Sequence, residues 1–328
     1  MINLFKKINI SEFKKEVIII SVFFAGIAAL HSFWLYEESY SIINHLIAVG
    51  ASSNPTITCE SSKDVINAHI GYLSVKSTFD VNMSRVFVPS LILGLRSIFH
   101  NPQLVLLINE FIAALFAAFL FYILCSKYIH KPLLRHLSAL LFFVAAIGTQ
   151  ISIGRLGDLF TVSFFCLGLV LINARGWWLI SFAVLAATQR FDIAMLSCLI
   201  WFLSGRRIIS CIAGAFALIV YKAILYHCGA HNFADDTVYI YGTHTLRCVQ
   251  LMWPSTWITI ALFLGIPASL LVLHPYWLLR NKSIVIGTAL YQITLLIISC
   301  ANEFRLMLPM LAVSIIGVVS SYENRIKE

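Results

Sequence analysis

The chain reads as an all-α polytopic membrane protein of about ten transmembrane helices, with interfacial helices in its first outside loop. Three observations carry that reading. Of 328 residues, 60% are apolar and only 12% are charged, against roughly half and a quarter in soluble chains. The mean hydropathy is +0.88. The apolar residues also gather into tracts close to the ~20 residues that a spanning helix needs. Net charge is +8, but the basic residues fall in ones and twos between apolar tracts. Without a groove or stripe of them, a nucleic-acid partner is not expected.

The first tract, residues 17–36, ends in aromatics and Glu37-Glu38. No small-residue cleavage site follows, so it reads as an anchor and not as a removable signal. In the stretch after it, apolar residues at 42, 43, 46, 47 and 49 keep a helical period. That segment is too short and polar to span, so it should lie along the interface and end at Gly50. Residues 86–100 hold Pro89 and Arg96 and suit a second interfacial helix. Clear spans follow at 103–125, 137–154, 158–173, 208–228, 255–279, 283–300 and 306–321.

The remaining apolar stretch, 177–204, is broken by Gln189-Arg190-Phe191-Asp192. As one helix it would bury an Arg and an Asp near the bilayer centre, at about 2.5–3.5 kcal/mol each. As two short helices it places both charges at a membrane surface. The excess of Lys and Arg in cytoplasmic segments decides between the two. With a hairpin at 177–204 and a cytoplasmic N-terminus, the inside segments hold 14 basic residues and four acids (Glu12, Glu16, Glu323, Glu328). The outside then holds eight basic and 11 acidic residues, with Lys222 inside a helix. Making the hairpin a single span would send Arg206, Arg207, Arg280 and Lys282 outside. Ten spans with both termini cytoplasmic is the expectation. The whole chain, 1–328, forms one membrane domain with sizeable outside loops at 37–102 and 231–254.

Among the eight cysteines, Cys166, Cys198 and Cys211 fall within helices, as small apolar fillers. Cys228 and Cys248 flank the second large loop and could close it as a disulfide. No paired Cys/His spacing indicates a metal site.

Charge collects at the outer rim. Successive outside helix ends carry Glu37-Glu38, Arg155 with Asp158, Arg190 with Asp192, and Glu303 with Arg305. Asp80 and Arg85 add an acid and a base to the first outside loop. The plain reading makes each Arg–acid turn a local salt bridge, worth about 0–1 kcal/mol if exposed. The functional reading makes the turns converge on a site where guanidinium groups hold phosphate oxygens and a carboxylate acts as general base. Two ionisable groups lie inside spans. Glu110 sits seven residues into its helix and Lys222 six from the outer end of its own. They could pair structurally or line a polar cavity below the rim, and Lys222 could also snorkel.

This layout resembles the GT-C superfamily of polyprenyl-phosphate-sugar-dependent glycosyltransferases, in particular the protein O-mannosyltransferase and lipid A aminoarabinose transferase type. The matching features are Glu37-Glu38-Ser39-Tyr40 through Gly50, Arg85 to Arg96 around Pro89, and the helix ending at Lys127. The Arg155-Leu156-Gly157-Asp158 turn and Arg305-Leu306-Met307-Leu308-Pro309 complete the series. The chain departs from the family at two places. Both rim acids are Glu where Asp usually comes first, and Val88-Pro89-Ser90 stands where the family carries His-Pro-Pro.

The resemblance implies a polyprenyl-phosphate-linked sugar donor and a glycan or lipid acceptor, within the lipid bilayer. Glu37 or Glu38 would deprotonate the acceptor hydroxyl. Arg305, with Arg155 or Arg190, would neutralise the leaving phosphate, and Asp158 would orient either the acceptor or an Arg. Asp192, Glu303, Asp80, Arg85, Glu110 and Lys222 would support the site. The reaction would invert the anomeric carbon. No Gly-rich nucleotide loop is present. A divalent cation is the one cofactor the rim carboxylates could take, although no Asp-x-Asp pair argues for it. The expected location is a bacterial inner membrane, with the site facing the periplasm or exterior. Alternatives are a surface-polysaccharide polymerase or ligase, a transporter, and a non-enzymatic membrane protein.

Overall fold

The computed structural model describes residues 15–30, 86–99, 102–148, 158–227, 257–258, 260–261, 265–273, 275–298 and 307–325. Every regular element among them is helical, and none is a strand. In chain order these are α1 (residues 15–30), α2 (Phe87–Ile98), α3 (Pro102–Tyr128), α4 (Pro132–Gly148) and α5 (Asp158–Val170), the last followed by a 3-10 turn at Leu171–Asn173. Then come α6 (Gly176–Gln189), α7 (Phe191–Leu203), α8 (Arg207–His227), α9 (Ile266–Leu273), α10 (Pro275–Arg280), α11 (Lys282–Ile298) and α12 (Leu308–Arg325). Within α3 and α8, residues Leu107–Tyr128 and Arg207–Ile224 are long and apolar enough to cross a membrane. The expected interfacial helix at 38–50, the loop 231–254 and Cys228 with Cys248 lie outside the described residues.

The helix boundaries follow local chemistry. Pro102, Pro132 and Pro275 each stand first in a helix, where the missing N–H costs nothing and φ is already helical. This moves the start of α4 back to Pro132, five residues before the apolar tract begins. It also divides the tract read as one span at 255–279: α9 ends at Leu273 and α10 begins at Pro275. At its end, α12 runs on through polar residues to Arg325, because Glu323 and its neighbours bind other helices there. Residues Phe87–Ile98 do form a single 12-residue helix, about 18 Å long and too short to span.

The stretch 177–204 is two helices, with Arg190 extended between them (φ −153°, ψ 112°). They run antiparallel. The Arg206 guanidinium donates to the Ala174 carbonyl, so the entry to α6 and the exit from α7 lie side by side. A Cβ on Gly176 would come within 2.8 Å of Ile209 at the start of α8. The turn into α8 passes through Gly205 at φ 94°, a left-handed conformation that a side chain would strain.

Other bonds gather further helix ends at this same level. Lys127 Nζ reaches Leu169 O at 3.4 Å, and Ser283 Oγ donates to Leu203 O at 3.0 Å. Ser320 Oγ donates to Tyr128 O at 2.9 Å. The backbone N–H groups of His130 and Lys131 donate to the two Glu323 carboxylate oxygens at 2.7 and 2.8 Å. Lys127, Lys131, Arg175, Arg206, Arg207, Arg280 and Lys282 therefore belong to one end of the bundle. They are seven of the 14 basic residues that the charge rule expects on a single side.

Aromatic stacking and small residues close the interior. Phe121 of α3 stacks on Phe142 of α4 at 4.0 Å, and Phe143 stacks on Phe24 of α1 at 4.6 Å. Phe87 of α2 meets Phe160 and Phe164 of α5 edge-on. Gly287 of α11 lets Ile200 of α7 approach, since a Cβ there would lie 2.6 Å from its side chain. Small residues allow such close helix contact. Trp201, fully buried, donates its indole N–H to Gly168 O at 3.0 Å and ties α7 to α5.

Candidate functional site

One residue, Arg190, ends α6 and starts α7. Its N–H donates to Ala186 O at 2.8 Å, and its carbonyl accepts from Ile193 and Ala194 at 3.2 and 3.3 Å. Asp192 then falls in the first turn of α7, where the exposed N–H groups favour an anion. The Arg190 side chain turns back onto it, Nε to Oδ1 at 2.9 Å and Nη2 to Oδ2 at 2.6 Å. Tyr291 of α11 donates its hydroxyl to Asp192 Oδ2 at 2.8 Å. This geometry is the planar, two-pronged pairing that a guanidinium makes with a carboxylate.

Arg190 is only 9% exposed, whereas the Asp192 side chain is 32% exposed. The pair is local, as the plain reading of the turn holds, but it does not lie on an open turn. Gln189 and Gln292 are buried next to Arg190 and Tyr291 in the chain.

Two other residues named from sequence fall at a similar height. Phe191 stacks on Tyr221 of α8 at 4.4 Å and 17°. Next to Tyr221, Lys222 is exposed, with its ammonium 6.0 Å from the Tyr221 ring centre. Glu110 is buried in α3 at 3% exposure, beside the fully buried Asn109. The carboxylate and the ammonium thus occupy opposite environments, one enclosed and one on the outer surface of α8. Asp158 opens α5. Glu37, Glu38, Asp80, Arg85, Arg155, Glu303 and Arg305 lie outside the described residues.

Sequence reasoning named Gln189 only as part of the break and did not single out Asn109, Tyr291 or Gln292. The signal for the last two was a Tyr-Gln pair inside an apolar tract. Asn109 has neither amide atom hydrogen-bonded among the described residues. No group of three or more His, Cys, Asp or Glu side chains is assembled to hold a metal ion among the described residues. Comparison with protein-family models, curated proteins and solved structures finds no match to this chain.

Proposed function

We propose that the chain is a ten-span integral membrane glycosyltransferase, moving a sugar from a polyprenyl-phosphate donor to a glycan or lipid acceptor at the outer membrane face. One observation supports this reading most directly: three ionisable groups, Glu110 and Lys222 within helices and Arg190 at a helix break, lie at similar distances from the basic helix ends. At 1.5 Å per residue, Glu110, Arg190 and Lys222 stand about 21–26 Å from the basic ends of α3, α6 and α8. Against a hydrocarbon core of ~30 Å, that is roughly 5–10 Å beneath the opposite boundary. At this depth a lipid-borne phosphate can meet an acceptor arriving from water.

Glu37 or Glu38 takes the acceptor hydroxyl proton as that oxygen bonds to the anomeric carbon. The bond to the donor phosphate breaks with its electron pair, and the phosphate leaves as an anion. Arg305 and Arg155 are the better carriers of that charge, because Arg190 already holds Asp192. The acceptor attacks from the face opposite the leaving group, so the anomeric carbon inverts with no covalent intermediate.

The test compares surface glycans and lipids by mass spectrometry after gene deletion and restoration with wild type or with Glu37→Gln/Glu38→Gln. Loss of one sugar substituent, recovered only by wild type, is expected. Accumulation of unpolymerised repeat units would assign the chain to a polymerase instead. A second reading, transport, is favoured by the helix break at Arg190 and by the buried Glu110, since transporters place such features along their substrate path. An unchanged glycan profile with the protein expressed would select it over transfer.

A further inference from the structure

We propose that the groove between α7 and α8 holds one acyl chain of an anionic glycerophospholipid, with its phosphate on Arg207. This rests on the membrane reading above and not on the glycosyltransferase chemistry. The groove has a volume of about 420 Å³. Met195, Leu199 and Phe202 form one wall, and Cys211, Gly214 and Leu218 form the other. Arg207 lies on the same stripe of α8, since 207, 211, 214 and 218 recur at helical spacing. From Arg207 to Leu218 the stripe runs about 16 Å.

The mouth carries the charge. The Arg207 guanidinium sits 5.9 Å from the Phe202 ring centre, over the end of the groove. Its neighbour Arg206 is committed to the Ala174 carbonyl, whereas Arg207 is exposed. Trp177 and Trp178, stacked at 3.8 Å and 53% and 39% exposed, stand at the same end of the bundle. Indole rings there suit the headgroup boundary. A cation at the boundary above an apolar slot matches an amphiphile with an anionic head. A second copy of this chain fits poorly, because a two-fold axis along the membrane normal would set Arg207 against Arg207.

The slot is open at Gly214, where a Cβ would make only ordinary contacts, the nearest at 3.9 Å. Gly214→Leu therefore starts its side chain in ordinary contact with Met195 and Cys198 of the facing wall and occupies the groove. The experiment is native mass spectrometry of the full chain from micelles containing phosphatidylglycerol or phosphatidylcholine with identical acyl chains. Phosphatidylglycerol should be retained about tenfold better, the size of one charge-assisted contact. Arg207→Gln should erase that preference, Gly214→Leu should reduce retention of both lipids, and Arg280→Gln should change neither. Unaltered preference in Arg207→Gln, or equal loss in Arg280→Gln, would overturn the site. Cys211–Cys211 cross-links in native membranes would give the groove to a second copy. Release of the protein from membranes by alkaline washing would instead refute the membrane reading itself.

Discussion

Arg190 and Asp192, two residues apart across a helix break, form a two-pronged ion pair with N–O distances of 2.9 and 2.6 Å. The pair explains how a charged turn can stand inside an apolar stretch. Each charge satisfies the other, and the Tyr291 hydroxyl takes part of the remaining acceptor capacity of Asp192.

Removing one partner should therefore cost more than removing both. Arg190→Ala is expected to lower stability by about 3 kcal/mol, since it leaves a partly buried carboxylate unpaired. Arg190→Lys should not restore it, because an ammonium cannot span both oxygens. Tyr291→Phe should cost only about 1 kcal/mol. Unfolding of the purified chain in detergent measures all three, and a double-mutant cycle with Asp192→Asn gives the coupling.

Glu323 holds α12 against the start of α4 through two backbone N–H groups, and it is 1% exposed. Its carboxylate also faces the positive end of α4, a favourable position for an anion. Glu323→Ala should cost about 2–3 kcal/mol, and Glu323→Gln less, because one carbonyl oxygen still accepts. Equal loss in the two variants, read from thermal unfolding, would mean that the hydrogen bonds contribute little.

A methyl group at Gly168 would run into the Ser197 hydroxyl and lie 3.2 Å from Phe182 Cζ. Gly168→Ala should destabilise the α5–α7 contact by about 1–3 kcal/mol. Ser197→Ala removes the nearest atom, so the double variant should recover part of the loss. The Ser197 hydroxyl back-bonds to Ile193 O at 3.0 Å.

The bonds among Lys127, Ala174, Leu203 and Tyr128 set one level of the bundle, so its turns should share one side of the membrane. Single cysteines replacing Arg175, Arg280 and Lys131 should react with an impermeant thiol reagent only in inside-out vesicles. Cysteines replacing Asp80 and Asp235 should react only in right-side-out ones. Labelling of Arg175→Cys and Arg280→Cys from opposite sides would refute the hairpin topology.

Part of the architecture was legible in the sequence. The break at 190 could be read because two charges interrupt an apolar run, and a local cost of several kcal/mol forbids one continuous helix. The basic turns could be grouped because membrane orientation sorts Lys and Arg by side. Less legible was how deep a turn lies. Arg190 is nearly buried while the Asp192 side chain keeps 32% exposure, a difference that only packing reveals. The division at Pro275 was present in the residue itself, but hydropathy averages over a window and blurs it.

The sequence by itself determined the helical class, the apolar tracts and the basic residues at the turns between them. Each of these depends on residues close together in the chain. The tertiary structure decided which polar groups satisfy one another. Tyr291 meets Asp192 across 99 residues, and Glu323 meets His130 across 193. Such partners are chosen by how whole helices pack, because a buried polar group takes the nearest complementary atom whatever its distance along the chain.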